Sequence, residues 1–147
     1  MAAVEQTELT QAQAAVMADL QAATIELRAV LGAEREALDR LDSIALDAAT
    51  SSKARLLQRL EALDAERRQL EELMPARTAS ALWPHLCRQL DDCRRINETN
   101  GSIVAQQLAS VRRALGVLGG AGEGPPVLYG PQGHAQARSV SRPLSQA

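Results

Sequence analysis

The stretch LTQAQAAVMADLQAATIELRAVLGAEREALDRL, residues 9–41, decides the fold. Its apolar positions are Leu9, Val16, Leu20, Ala23, Leu27, Val30 with Leu31, Leu38 and Leu41, at steps of three, four and seven residues. Such steps place all of them on one side of an α-helix, in the heptad-like manner of helices that pack lengthwise on a neighbour. The spacing predicts a helix over about residues 7–41, roughly 50 Å long at about 1.5 Å per residue. Thr7 with Glu8, or Thr10 with Gln13, offers capping chemistry at its start. Gly32 weakens the middle by about 1 kcal/mol relative to alanine, so the pattern alone leaves continuity through Gly32 open.

Working outward, residues 42–52 contain Asp47, Thr50, Ser51 and Ser52 and read as the first reversal, with Ile44 and Leu46 turned inward. A second stripe follows at Leu56, Leu60, Leu63, Leu70 and Met74, and Pro75 ends it because proline cannot continue the hydrogen-bond ladder. A third helix is expected from near Thr78 or Ser80, with Pro84 tolerated in its first turn. Its stripe is Leu86, Leu90, Cys93, Val104, Leu108, Val111, Leu115 and Leu118, and Gly119-Gly120 stops it. No run is rich in β-branched and aromatic residues in the way of a strand. The expectation is an all-α domain over residues 1–118: three long antiparallel helices in an up-down-up helical bundle, compact or extended. Residues 119–147 hold six of the nine glycines and four of the six prolines. That composition buries too little surface to offset ordering entropy, so a flexible Gly/Pro-rich tail, disordered in the isolated protein, is expected.

Composition narrows the function classes. The 147 residues include no Phe, one Trp (Trp83) and one Tyr (Tyr129), so the core must be aliphatic. The net charge is -2, and the basic pairs Arg94-Arg95 and Arg112-Arg113 sit on a mixed background, which argues against a nucleic-acid partner. The opening MAAVEQTELT lacks the pattern of a signal peptide, and no run approaches 18 apolar residues. Cys87 and Cys93 are too few for a disulfide framework. A cytoplasmic location is the expectation.

Polar residues interrupt the stripes at Glu34, between Leu31 and Leu38; at Arg67, between Leu63 and Leu70; and at Asn97 and Asn100, between Cys93 and Val104. A buried charge or amide is costly unless partnered, and such groups can fix helix register. Glu34 with Arg67 is one candidate pair, although a reversal near residue 47 would set them about two turns apart. The other reading is a groove left partly open until a partner fills it.

No cofactor, metal or catalytic site is expected. Cys87, Cys93 and His85 lack the usual zinc-ligand spacing and read as small core residues beside a histidine. His134 has no acid or nucleophile that spacing identifies. Gly119 to Gly124 lacks the strand, the Gly-Lys-Ser/Thr ending and the following helix of a phosphate loop. Asn97-Glu98-Thr99 is a glycosylation sequon only in a secreted chain. Trp83 reads as a plug at the end of the bundle or as an exposed anchor for a partner. Tyr129, alone in a Gly/Pro-rich setting, reads as an inconsequential tail residue or as a short docking element.

Two blocks carry a family resemblance. The first is Glu34-Arg35-Glu36-Ala37-Leu38 followed by Asp42, Lys53, Leu56-Leu57, Leu60, Leu63 and Arg67. The second is Asn97-Glu98-Thr99-Asn100-Gly101-Ser102-Ile103-Val104, then helix, then Tyr129-Gly130-Pro131-Gln132-Gly133. Together, over about residues 9–133, they resemble the FlgN family of flagellar type III export chaperones. The resemblance implies a cytoplasmic helical chaperone that binds the C-terminal helical regions of the hook–filament junction proteins FlgK and FlgL. It would keep them unassembled and deliver them to the export apparatus at the membrane. A tail tyrosine of that family is implicated in docking to the export gate protein FlhA, and Tyr129 occupies the matching motif.

A client helix needs an apolar furrow or face. Val104, Leu108, Val111, Leu115 and Leu118, continuing to Val127 and Leu128, are the candidate client-binding groove. The alternative from another class is a structural coiled-coil protein that homo-oligomerises through its leucine stripes. The oligomeric state, including a homodimer, is open from sequence.

Overall fold

The computed structural model describes residues 2–74 and 82–119. They form three helices, α1 (Ala2–Arg40), α2 (Ser43–Leu73) and α3 (Trp83–Leu118), with no strand among the described residues. The expected flexible tail and its residues Val127, Leu128 and Tyr129 lie outside the described residues, as does the connection at 75–81. Two compact units divide the chain, Met1–Gln107 and Leu108–Ala147.

In the first unit, pairing fixes the helix directions. Glu26 meets Arg59 and Glu34 meets Lys53, so one number falls as the other rises and α2 runs antiparallel to α1. Lys53 meets Asn97 and Arg67 meets Trp83, so α3 runs antiparallel to α2. Cys93 reaches the carbonyl of Thr24, Asn100 that of Leu31 and Gln107 that of Leu38, each pair 69 residues apart. A constant offset means α1 and α3 are parallel and in register. The arrangement is the up-down-up bundle that the leucine stripes predict.

α1 is the central staff. Val16, Met17, Leu20, Ala23, Leu27 and Leu31 are buried on it in one cluster with Leu56, Leu60 and Leu70 of α2 and Leu86 and Cys93 of α3, and Ala37 and Leu38 are buried further along it. A buried leucine contributes about 1.5–3 kcal/mol, so this seam is the main favourable term of the fold. Alanines at 23 and 37 let neighbouring side chains approach the α1 backbone.

Three boundaries differ from the sequence expectation. α1 starts at Ala2, and Thr7 and Thr10 lie within it, donating their hydroxyls back to the carbonyls of Ala3 and Gln6 at 2.8 and 2.7 Å instead of capping its start. α3 begins at Trp83, with Pro84 in its first turn. The first reversal is only Leu41 and Asp42. Leu41 N–H donates to Leu38 O and Asp42 N–H to Ala37 O, which closes α1 in a Schellman motif. Leu41 takes φ 55° there, a position that usually carries glycine. Asp42 then caps α2, its carboxylate accepting from the Ala45 N–H at 3.0 Å. Residues 43–52 are therefore helix; Ile44 is exposed and Leu46 is half-buried.

α1 is continuous through Gly32, where an added Cβ would meet nothing within 4 Å. Gly32→Ala is expected to raise stability by about 0.5–1 kcal/mol. A higher urea midpoint at unchanged slope is the expected readout; a lower midpoint would contradict helical backbone at this position.

Candidate protein-binding site

Four of the predicted polar breaks fall in two clusters. The first ties all three helices together. Asn100 is 1% exposed, and its amide donates to Leu31 O at 3.0 Å and to Glu34 Oε2 at 2.9 Å. Its own oxygen accepts from Arg35 Nε at 2.9 Å. The other oxygen of Glu34, a residue 5% exposed, accepts from Lys53 Nζ at 2.6 Å. Lys53 also donates to the exposed Asn97 at 3.1 Å. Among the described residues no buried side-chain nitrogen or oxygen lacks a partner. Glu34, Asn97 and Asn100 thus meet, through Lys53 and Arg35, which composition and spacing did not single out.

Arg67 belongs to a different cluster, so the Glu34–Arg67 pairing is not formed. Because the chain reverses at Leu41 and Asp42, Lys53 is the α2 residue level with Glu34. Arg67 instead bonds Asp64 at 2.8 Å and Glu71 at 2.6 Å on its own helix. Its guanidinium lies 3.8 Å from the centre of the Trp83 ring. Burial lowers its pKa, but hydrogen bonds and charge from Asp64 and Glu71 outweigh this and raise it overall. Trp83 is half-buried and packs against the core, which fits the plug reading.

Cys93 is a core residue, its thiol directed to Thr24 O at 3.9 Å and its pKa pushed up by burial. Cys87 is half-buried. Both are free thiols.

Apolar surface remains in several places, and two of them suit a partner helix. Between α2 and α3 is an open hollow of about 320 Å³ lined by Leu27, Leu31, Leu57, Leu60, Leu90 and Cys93, with Glu61, Lys53, Arg94 and Asn97 at its edges. A second hollow of about 450 Å³ shares Leu60, Glu61 and Leu90 with it and continues toward Trp83. Two of the polar breaks, Asn97 and Arg67, line these hollows, in keeping with the reading of a partly open groove, and the exposed Leu57 lies one step off the buried Leu56–Leu60 line.

The other place is α3 itself. Val104 closes the first unit's share of the stripe and is exposed. In the second unit Leu108 is 47% exposed, Leu115 61% and Leu118 83%, with Val111 also exposed. The same periodicity that buries Leu86 and Cys93 therefore continues as an open aliphatic line. These are the described members of the predicted client-binding set.

Among the described residues no helix is long and apolar enough to cross a membrane. An all-α bundle with a polar pin and an open aliphatic helix face defines a class of helical protein whose unused surface suits another helix. The family model described as FlgN protein matches residues 1–137. The chain belongs to the FlgN family, whose general role is that of a flagellar export chaperone. Comparison with curated proteins and with solved structures gives no match.

Proposed function

We propose that this chaperone acts in the cytoplasm on the hook–filament junction proteins FlgK and FlgL. It binds their C-terminal helical regions, keeps them unassembled and hands them to the flagellar type III export apparatus. No catalytic step is part of this reading. The observation that carries it is the aliphatic line of Leu108, Val111, Leu115 and Leu118, exposed and set at helical spacing. An exposed line of this kind costs solubility unless a partner covers it. In sequence, Val104 precedes the line and Val127 and Leu128 follow it. Tyr129 is assigned to docking on the export gate protein FlhA.

Calorimetric titration with the C-terminal fragments of FlgK and FlgL tests the reading. One-to-one binding at micromolar affinity or tighter, with a negative heat-capacity change, is the expected result. Tyr129→Ala should leave that binding intact and weaken capture by FlhA; undiminished capture would remove Tyr129 from this role. The steps of four, three, four and three residues from Val104 to Leu118 also favour a second reading, a homo-oligomeric coiled coil. No heat with either fragment, together with a stable oligomer by light scattering, would select it.

A further inference from the structure

We propose that the face formed by Leu108, Val111, Leu115 and Leu118 takes an amphipathic helix whose polar edge is acidic. This rests on the chaperone reading above and adds a selection rule to it: the client segment is chosen by charge as well as by apolar shape.

The apolar spacing defines the kind of ligand. Steps of three, four and three are the seam of a helix that packs lengthwise on another helix. Charge defines its edge. Between Glu98 and Glu123 the chain has no Asp or Glu, and its only charged residues are Arg112 and Arg113. With Leu108 and Leu115 at the a positions and Val111 and Leu118 at d, Arg112 falls at e, directly beside the seam. Among the described residues neither arginine has an ion-pair partner, and Arg113 bonds only the Ser110 hydroxyl, at 3.2 Å. Earlier on the same helix Arg94 is paired with Asp91 and Glu98, and Arg95 with Asp92. In a chain of net charge -2, this segment offers an apolar strip flanked by arginines that no carboxylate pairs among the described residues.

A second copy of the chain is a poor occupant. Antiparallel pairing of two such faces sets Arg112 beside its own counterpart. Parallel pairing sets it beside Gln107 or Ala114, and neither is acidic. An anionic membrane fits less well too. Helices lying in that interface carry aromatic anchors and a polar face rich in basic residues, whereas no aromatic residue lies between Trp83 and Tyr129.

The test uses the full chain and three synthetic helical peptides with one leucine face, flanked by Glu, Gln or Lys, titrated by fluorescence anisotropy. The Glu peptide is expected to bind about tenfold more tightly than the Lys peptide, with a gap that narrows as salt rises. Arg112→Glu combined with Arg113→Glu, both exposed, should reverse the order. Equal affinity for the Glu and Lys peptides, or an order that survives the double substitution, overturns the proposal. So does tighter binding to phosphatidylserine vesicles than to any peptide, or a dimer in sedimentation that Leu115→Asp abolishes. FlgK and FlgL fragments that bind the double variant as tightly as the unchanged chain remove the charge rule and leave the chaperone reading standing. Fragments that fail to bind the unchanged chain remove that reading, and the peptide series still decides the face.

Discussion

Lys53→Met is expected to lower the unfolding free energy by about 3 kcal/mol. The reason is an asymmetry within one ion pair. The Glu34 carboxylate is 7% exposed and Lys53 is 21% exposed. Without Lys53, a carboxylate sealed among three helices keeps only the Asn100 amide. Removing the acid is milder: in Glu34→Gln the lysine head turns to water, and the new amide still faces Asn100, for a loss of about 1 kcal/mol. Replacing both by methionine should cost less than the two single losses added together, because no unpaired charge stays inside. Urea unfolding followed by circular dichroism reads all three. Equal losses from the two single substitutions would sink the claim that the buried member sets the cost.

The second large effect separates binding from folding. Leu108→Ala combined with Leu115→Ala is expected to weaken FlgK and FlgL fragment binding by about thirtyfold or more, from the loss of two aliphatic contacts at the interface centre. Stability should move by less than about 0.5 kcal/mol, since both leucines already face water and alanine is the better helix former. Leu86→Ala is the control. That residue is fully buried, and its loss should cost about 2–5 kcal/mol. Unchanged fragment affinity in the double variant would move the client site away from α3, with the furrow between α2 and α3 as the next place to look.

The seams were legible because periodicity is a property of the sequence. Leu20, Leu27, Leu31, Leu56, Leu60, Leu86 and Cys93 are buried where the stripes put them. The first reversal was not legible, because its key residue is Leu41, an ordinary helix former held at φ 55° where glycine would have announced a turn. Asp47, Thr50 and Ser51 look like turn residues but are exposed positions on α2. With the turn at Leu41 and Asp42, Lys53 and not Arg67 stands level with Glu34, a pairing that spacing does not show. The exposed end of α3 shows a different limit. Periodicity says which residues share a face; it does not say whether a neighbour covers that face, and Leu86 and Leu115 read alike in sequence. Asn100 was visible as a break in the stripe, but its three hydrogen bonds depend on the 69-residue offset between α1 and α3, which only the assembled bundle defines.

The Arg67–Trp83 contact has an optical consequence. With no phenylalanine and a single tryptophan, the indole emission of this chain comes from one address, where the α2 guanidinium covers the first residue of α3. Emission selected at the red edge of absorption therefore works as a local gauge of that contact. A titration that releases heat but leaves the colour and intensity of this light unchanged would place the event away from Trp83. A blue or red drift would mean that the surroundings of the ring, Arg67 among them, had changed. The same scarcity makes near-ultraviolet absorbance a weak measure of how much protein is present, so stoichiometries for this chain are better anchored to amino-acid analysis.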